Sequence, residues 1–445
     1  MATPRADMPA REQWRSGLGF VLATLGSAVG VGNVWRFSYV AGEHGGGAFV
    51  LVYVLFVAAI GPPLMLAEFA LGRATQRGPE HAFAAIAPRG PWRRAGWPGV
   101  LAAALILSYY AVIAGWTLKF FVVYASGDAT ATRFDAFLRS AEPLAWQAVV
   151  MAASVAIVWG GVQRGIEATT TLLMPLLAAV LIVLAGYALS LPGAAQGLAF
   201  VFRPDWAALA HPGVYLAAMG QAFFSLGLAC GVMLTYGSYL PRGRTLLGPA
   251  AAIVVGDTAF AIVAGVMIFP AVFSFGLDPA GGPALAFETM PQVFAQMPFG
   301  RAFGVAFFGL LAVAALTSAI SLLEVVVAFL MDRWRIARRR AAAGAGAVIF
   351  ALGVPAALSF GALGGVRLAG AGVLDAMDFV ASNLLMPLNG VLVAVFVGWV
   401  WAGRDARHAS GLAPPLAHAW HALLRFGAPA VIGLVLLRSL GIIGA

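Results

Sequence analysis

The sequence predicts an all-α polytopic membrane protein in which two inverted five-helix repeats are followed by an eleventh helix. Hydrophobic residues fill 61% of 445 positions, charged residues only 10%, and the mean hydropathy is +0.90, outside the balance of a soluble globular chain. Apolar runs long enough to cross about 30 Å of hydrocarbon recur from one end of the chain to the other. The first and the sixth of these runs, five apart, are both interrupted by clustered glycines.

Read between Gly, Pro and charge, the spans fall at roughly 16–41, 48–71, 96–124, 143–160, 166–190, 213–239, 246–275, 301–332, 342–361, 371–402 and 416–440. The segment from Gly281 to Met297 is too short and too interrupted by proline to cross, so it is read as an outer helical hairpin placed to act as a lid. Residues 1–445 are then one transmembrane domain, with a first repeat over about 11–190, a second over about 211–402 and the last span at about 416–440.

A net charge of +9 invites a nucleic-acid partner, but the arginines sit in short loops between apolar spans and line no face of a folded domain. Arg11 and Arg15 precede the first span, Arg73 to Arg94 follow the second, Arg242 and Arg244 the sixth, Arg333 to Arg340 the eighth, and Arg404 and Arg407 the tenth. The positive-inside rule makes these loops and the N-terminus cytoplasmic, and an odd number of spans puts the C-terminus outside. Asp128, Asp135, Glu142, Asp205, Asp278 and Glu288 mark the other side. Met1 to Arg15 lacks the short apolar core of a cleaved signal peptide. The single cysteine, Cys230, excludes an intramolecular disulfide, and no Cys/His cluster has metal-ligand spacing.

In the first span Gly26, Gly30 and Gly32 crowd the middle beside Ser27 and Asn33, and each costs about 1 kcal/mol of helix propensity relative to alanine. In the sixth, Ser225, Gly227 and Gly231 interrupt the run GQAFFSLGLACG. Glycines can simply let helices approach, as in small-xxx-small contacts. Two breaks five spans apart fit better with inverted halves whose unwound backbone lines a cavity, the arrangement from which the broken-helix transporter rule was drawn.

The residues themselves carry a resemblance. REQWRSGLGFVLATLGSAVGVGNVWRF, from Arg11 to Phe37, continues to EHGGGAF and closely resembles the signature of the neurotransmitter:sodium symporter family. GQAFFSLGLACG, GDTAFAIVAG in the seventh span, LTSAISLLEV in the eighth and DAMDF in the tenth extend the likeness over nearly the whole chain, in order. The odd span count is similar to the bacterial eleven-span branch. The resemblance implies sodium-coupled symport of an amino acid across a bacterial inner membrane by alternating access, with sodium ions, two of them, and no organic cofactor. A monomer in the bilayer suffices for that mechanism, and the oligomeric state is left open.

Sodium is a hard cation that takes oxygen ligands. The resemblance implies a first site from the Ala28 carbonyl, Asn33, Ser225 and Asp257, completed by the substrate carboxylate. An acid at membrane depth is by default functional, which gives Asp257 weight beyond the resemblance. Chloride-dependent relatives carry an asparagine there and a serine one turn later, where this chain has Ala261, so transport independent of chloride is expected. The second site is implied to use carbonyls of Gly26, Val29 and Ala314 with the hydroxyls of Thr317 and Ser318. Taken alone, a Thr-Ser pair in a span reads as bonding back to its own preceding turn.

The half-helix starting near Val31 and Gly32 offers free N–H groups and a positive dipole end to a carboxylate, with the Tyr110 hydroxyl completing the clamp. Carbonyls at Ala28 and Phe224 and the Ser225 side chain are placed to receive an ammonium. Monoamine carriers of the family have an aspartate where this chain has Gly30, which argues against a monoamine. Ile106, Tyr110, Phe224, Gly227, Cys230, Ser318 and Leu322 form the expected side-chain pocket, which suits an apolar or aromatic amino acid. Each of these could also be ordinary packing.

By resemblance, Arg36 and Asp378 should face each other above the site, with Phe224 and Tyr110 as an aromatic lid. Arg11 with Asp332 should close the inner side near Trp14 and Tyr239. Gly165 and Pro175 form a pattern linked to local unwinding of the fifth span. Ser38 stands where the family generally has proline and His44 where it has asparagine, and Glu68 and Glu324 are intramembrane acids without a partner evident in the sequence. A proton-coupled or exchange carrier of the same fold and a non-transporting amino-acid sensor are the competing readings. An enzyme is not expected, because no HExxH, nucleophile elbow or paired catalytic carboxylates occur.

Overall fold

The computed structural model describes residues 11–127, 133–280 and 286–442, and among these the chain is almost entirely helical. Among the described residues nine helices are long and apolar enough to cross a membrane, and a tenth span is the bent pair Gly17–Ala28 and Gly32–Glu43, whose axes differ by 51°. The sixth span is split into Pro212–Ser225 and Val232–Gly237, each too short to cross alone, and together they complete the expected eleven.

The glycines explain both breaks. At the first, Val29 turns to an extended conformation and the chain re-enters helix as a π-helical turn, Gly32–Arg36. At the second, Gly227, Ala229 and Gly231 all have positive φ, a region open to glycine and costly for alanine. The freed backbone groups find partners, as they must at membrane depth. Gly30 N–H donates to Asn33 Oδ1 (3.0 Å) and Val31 N–H to the Tyr110 hydroxyl (3.3 Å). Ala229 N–H donates to Glu68 Oε1 (2.7 Å), while its carbonyl accepts from Asn389 Nδ2 (2.8 Å). Glu68, which had no partner in the sequence reading, therefore braces the break of the sixth span.

The third span, Trp97–Ser126, and the eighth, Gly300–Trp334, pack along much of their length and form the wall against which the broken first span lies. The first span also touches the fifth, Ala168–Ala188, and the seventh, Leu247–Ser274. The sixth packs on the second, Gly47–Thr75.

Three expectations change. The segment from Gly281 to Met297 holds a single helix, Thr289–Gln296, and no hairpin among its described residues; 281–285 lie outside them, as does Asp128. The ninth span begins at Arg338, earlier than its charges suggest, because Arg338 is paired with a buried carboxylate and is not left in lipid. The fifth span stays helical through Pro175; Gly165 instead lets the turn between the fourth and fifth spans close on Ile157, where a Cβ would meet its carbonyl oxygen at 1.9 Å. Ser38 and His44 bond back to the carbonyls of Val34 (2.7 Å) and Val40 (3.0 Å), away from the breaks.

Candidate functional site

Four elements meet at the breaks. Asn33 Nδ2 donates to Ser225 Oγ (2.9 Å) and Asp257 Oδ1 (2.7 Å), and Ser225 Oγ donates to Asp257 Oδ2 (2.6 Å). The Tyr53 hydroxyl, from the second span, donates to Ser225 Oγ at 3.2 Å. All four side chains are buried. An ionised carboxylate so deep needs a cationic or strongly donating partner, and here the amide N–H of Asn33 lies beside it. Asn33 was expected to offer its oxygen to an ion; in this structure that oxygen accepts from Gly30 N–H and the amide nitrogen faces Asp257.

The residues expected at the second sodium site also come together. A Cβ on Gly26 would lie 3.4 Å from Thr317 Cβ and 3.0 Å from Met174 Sδ, so only glycine lets the first span sit so close to the fifth and eighth. Ser318 Oγ donates to the Ser27 carbonyl (3.1 Å), and Thr317 Oγ1 bonds back to Ala314 O (3.0 Å). Val29 lies in the same break.

Between the breaks is a pocket lined by Ala28, Gly30, Gly32, Ile106, Tyr110, Phe224, Ser225, Gly227, Cys230, Ser318 and Leu322. Val31, expected with them, points its N–H at Tyr110 from just behind this lining. Met386 of the tenth span and Val232 join the wall and were missed by the sequence reading. Phe224 closes the outer side: a Cβ on Gly32 would meet its ring at 2.5 Å, and Arg36 stacks over it at 4.7 Å.

The outer gate differs from expectation. Arg36 donates to Gln221 Oε1 (2.9 Å), while Asp378 accepts from the Tyr109 hydroxyl (2.7 Å) and Ser382 (2.9 Å), so the two charges form no ion pair here. Gln221 also donates to the Gly32 carbonyl (3.1 Å), joining the outer halves of the two broken spans. An intramembrane glutamine in GQAFF was the signal that could have revealed it.

The residues expected to close the inner side come together. Arg11 Nη1 reaches both oxygens of Asp332 at 2.8 Å and stacks over Tyr239 at 4.8 Å. Trp14 Nε1 donates to the Tyr236 carbonyl at 2.9 Å, with its ring edge-on to Tyr239. A second layer lies deeper: Glu324 accepts from the Tyr239 hydroxyl and from both terminal nitrogens of Arg338 (2.7 and 3.0 Å). Glu12 reaches Arg338 at 3.7 Å, and Glu167 accepts from the backbone N–H of Arg15 and Ser16 at 2.8 and 3.1 Å. The N-terminal segment is thus fastened to the fifth, eighth and ninth spans.

A family model described as the sodium:neurotransmitter symporter family matches residues 11–135 and 129–441. The chain belongs to that family. This symporter is 41% identical to the uncharacterized sodium-dependent transporter YhdH of Bacillus subtilis (strain 168), over 97% of this chain and 98% of that one. It is 28% identical to the sodium- and chloride-dependent GABA transporter ine of Drosophila melanogaster, over 73% of this chain and 40% of that protein. Its fold matches the crystal structure of MhsT in complex with L-phenylalanine, with a TM-score of 0.91, 49% identity, and coverage of 97% of this chain and 100% of that one. The protein is a sodium-dependent, multi-pass membrane transporter and not an enzyme.

Proposed function

We propose that this transporter couples the inward movement of two sodium ions to uptake of an α-amino acid with an apolar or aromatic side chain, without a requirement for chloride. The observation that carries this reading is the placement of Asp257, a buried carboxylate held by Asn33 and Ser225 beside the pocket between the two breaks. A fixed protein carboxylate supplies the negative charge that a chloride would otherwise bring, and Ala261 offers no hydroxyl to hold one.

The substrate class follows from the lining. Val31 N–H and the Tyr110 hydroxyl suit a carboxylate, while Ile106, Phe224, Leu322 and Met386 offer an apolar cradle with no charge for a charged side chain. Gly30 leaves no room for a protein acid: a Cβ there would fall 2.7 Å from Ser318 Oγ and 3.1 Å from the Tyr110 hydroxyl. The phenylalanine held by MhsT, a structure 49% identical to this chain, supports an aromatic substrate. The substrate carboxylate would complete the sodium shell at Ala28, Asn33, Ser225 and Asp257, and Gly26, Val29, Ala314, Thr317 and Ser318 would hold the second ion. Shared ligation makes each raise the affinity for the other. The arginine-rich loops support an orientation with the N-terminus in the cytoplasm, in a bacterial inner membrane, and one chain as the transport unit.

Binding of labelled amino acids to the purified protein in sodium, with potassium as the control, tests this reading. Saturable, sodium-dependent binding of phenylalanine or another apolar amino acid is the expected result, and preference for charged amino acids or monoamines would overturn the substrate class.

A further inference from the structure

On the arginine-rich side, away from the breaks, lies a hollow of about 620 Å³ built by Glu80, His81 and Ala84 of the helix Pro79–Ile86, by Pro88, by Arg93 and Arg94 of the turn Pro91–Arg94, by Trp97 and by Arg333. We propose that it binds the phosphate-bearing headgroup of an anionic phospholipid.

Three features support this. Arg93, Arg94 and Arg333 are exposed, and among the described residues their guanidinium groups make no ion pair or side-chain hydrogen bond, unlike Arg11, Arg73 and Arg338. Against these three cations stands one carboxylate, Glu80, already 3.0 Å from His81 Nδ1, so the hollow is net positive and presents rigid forks suited to phosphate oxygens. The walls are set by packing: a Cβ on Gly96 would meet the Pro79 carbonyl at 2.3 Å, and Trp97 sits edge-on to Phe329 at 4.9 Å.

Depth selects the source of the phosphate. Trp97 starts the third span and Trp334 ends the eighth, the level at which indoles sit among headgroups. Basic hollows at that level are where anionic headgroups are held. The hollow also adjoins the inner gate, since Gly78, immediately before Pro79, donates its N–H to Asp332 at 2.6 Å.

The full chain, purified in detergent, is titrated with phosphatidylglycerol or phosphatidylcholine and examined by native mass spectrometry. One variant combines Arg93→Ala, Arg94→Ala and Arg333→Ala; a control combines Arg242→Ala, Arg340→Ala and Arg404→Ala, with circular dichroism checking that both are folded. The expected result is preferential retention of phosphatidylglycerol by the parent and the control, weakened about tenfold or more in the first variant. Equal retention by all three proteins, or equal loss in the control, would overturn the site. Arginine-dependent binding of inorganic phosphate as tight as that of the lipid would overturn the lipid assignment.

Discussion

Asp257 Oδ1 accepts a hydrogen bond from the Asn33 amide at 2.7 Å, tying the seventh span to the break in the first. In the proposed cycle a sodium ion competes with this N–H for the carboxylate, so ion binding must rearrange Asn33. Replacing Asp257 with Asn keeps the shape and removes the charge. Sodium-dependent binding is expected to weaken at least tenfold, about 1.4 kcal/mol, in the variant, while the melting temperature in potassium changes little. Unchanged sodium affinity would remove Asp257 from the ion site.

Replacing chloride with gluconate on both sides of the membrane should leave uptake by the parent unaltered. Dependence on chloride would mean that Asp257 does not supply the charge assigned to it.

Gly30→Ala places a methyl group against Ser318 Oγ and the Tyr110 hydroxyl. The Tyr110 hydroxyl belongs to the proposed carboxylate clamp and Ser318 lines the same pocket, so substrate affinity should fall more than tenfold, roughly 1.4 kcal/mol or more. Gly213→Ala, where a Cβ would meet nothing within 4 Å, should leave it unchanged.

Removing both hydroxyls, as Thr317→Ala with Ser318→Ala, should lower the Hill coefficient for sodium toward one. A coefficient unchanged from the parent would assign the second ion elsewhere.

The inner layer offers a stability test. Glu324 is fully buried, and Arg338→Met leaves its charge without the paired guanidinium, a change that costs about 3–5 kcal/mol for a buried pair. Thermal unfolding in detergent should show a clear loss for Arg338→Met, and the double variant with Glu324→Gln should recover part of it.

Much of this was legible in the sequence because helix breaks and depth are local properties. Glycine clusters beside Asn33 and Ser225 marked the breaks, and the pocket lining came with the family resemblance carried by the same spans. Partner choice was less legible. Arg36 turns to Gln221 and Asp378 to Tyr109 because long side chains take whatever lies within reach, which depends on how helices cross. Glu68 pairs with a backbone N–H that exists only once the sixth span has unwound, so no residue type advertised it. Tyr53 and Met386 reach the site only through the crossing of their spans with the broken helices, and the sequence reading did not single them out. Pro175, read as a point of unwinding, sits in unbroken helix.

The central claim is sodium-driven accumulation of an apolar amino acid, and uptake of labelled phenylalanine into proteoliposomes tests it most directly. An imposed inward sodium gradient should concentrate the label inside, and replacing external sodium with potassium should abolish that accumulation. Accumulation that persists in potassium, or sodium-dependent binding with no accumulation under the gradient, would contradict the account.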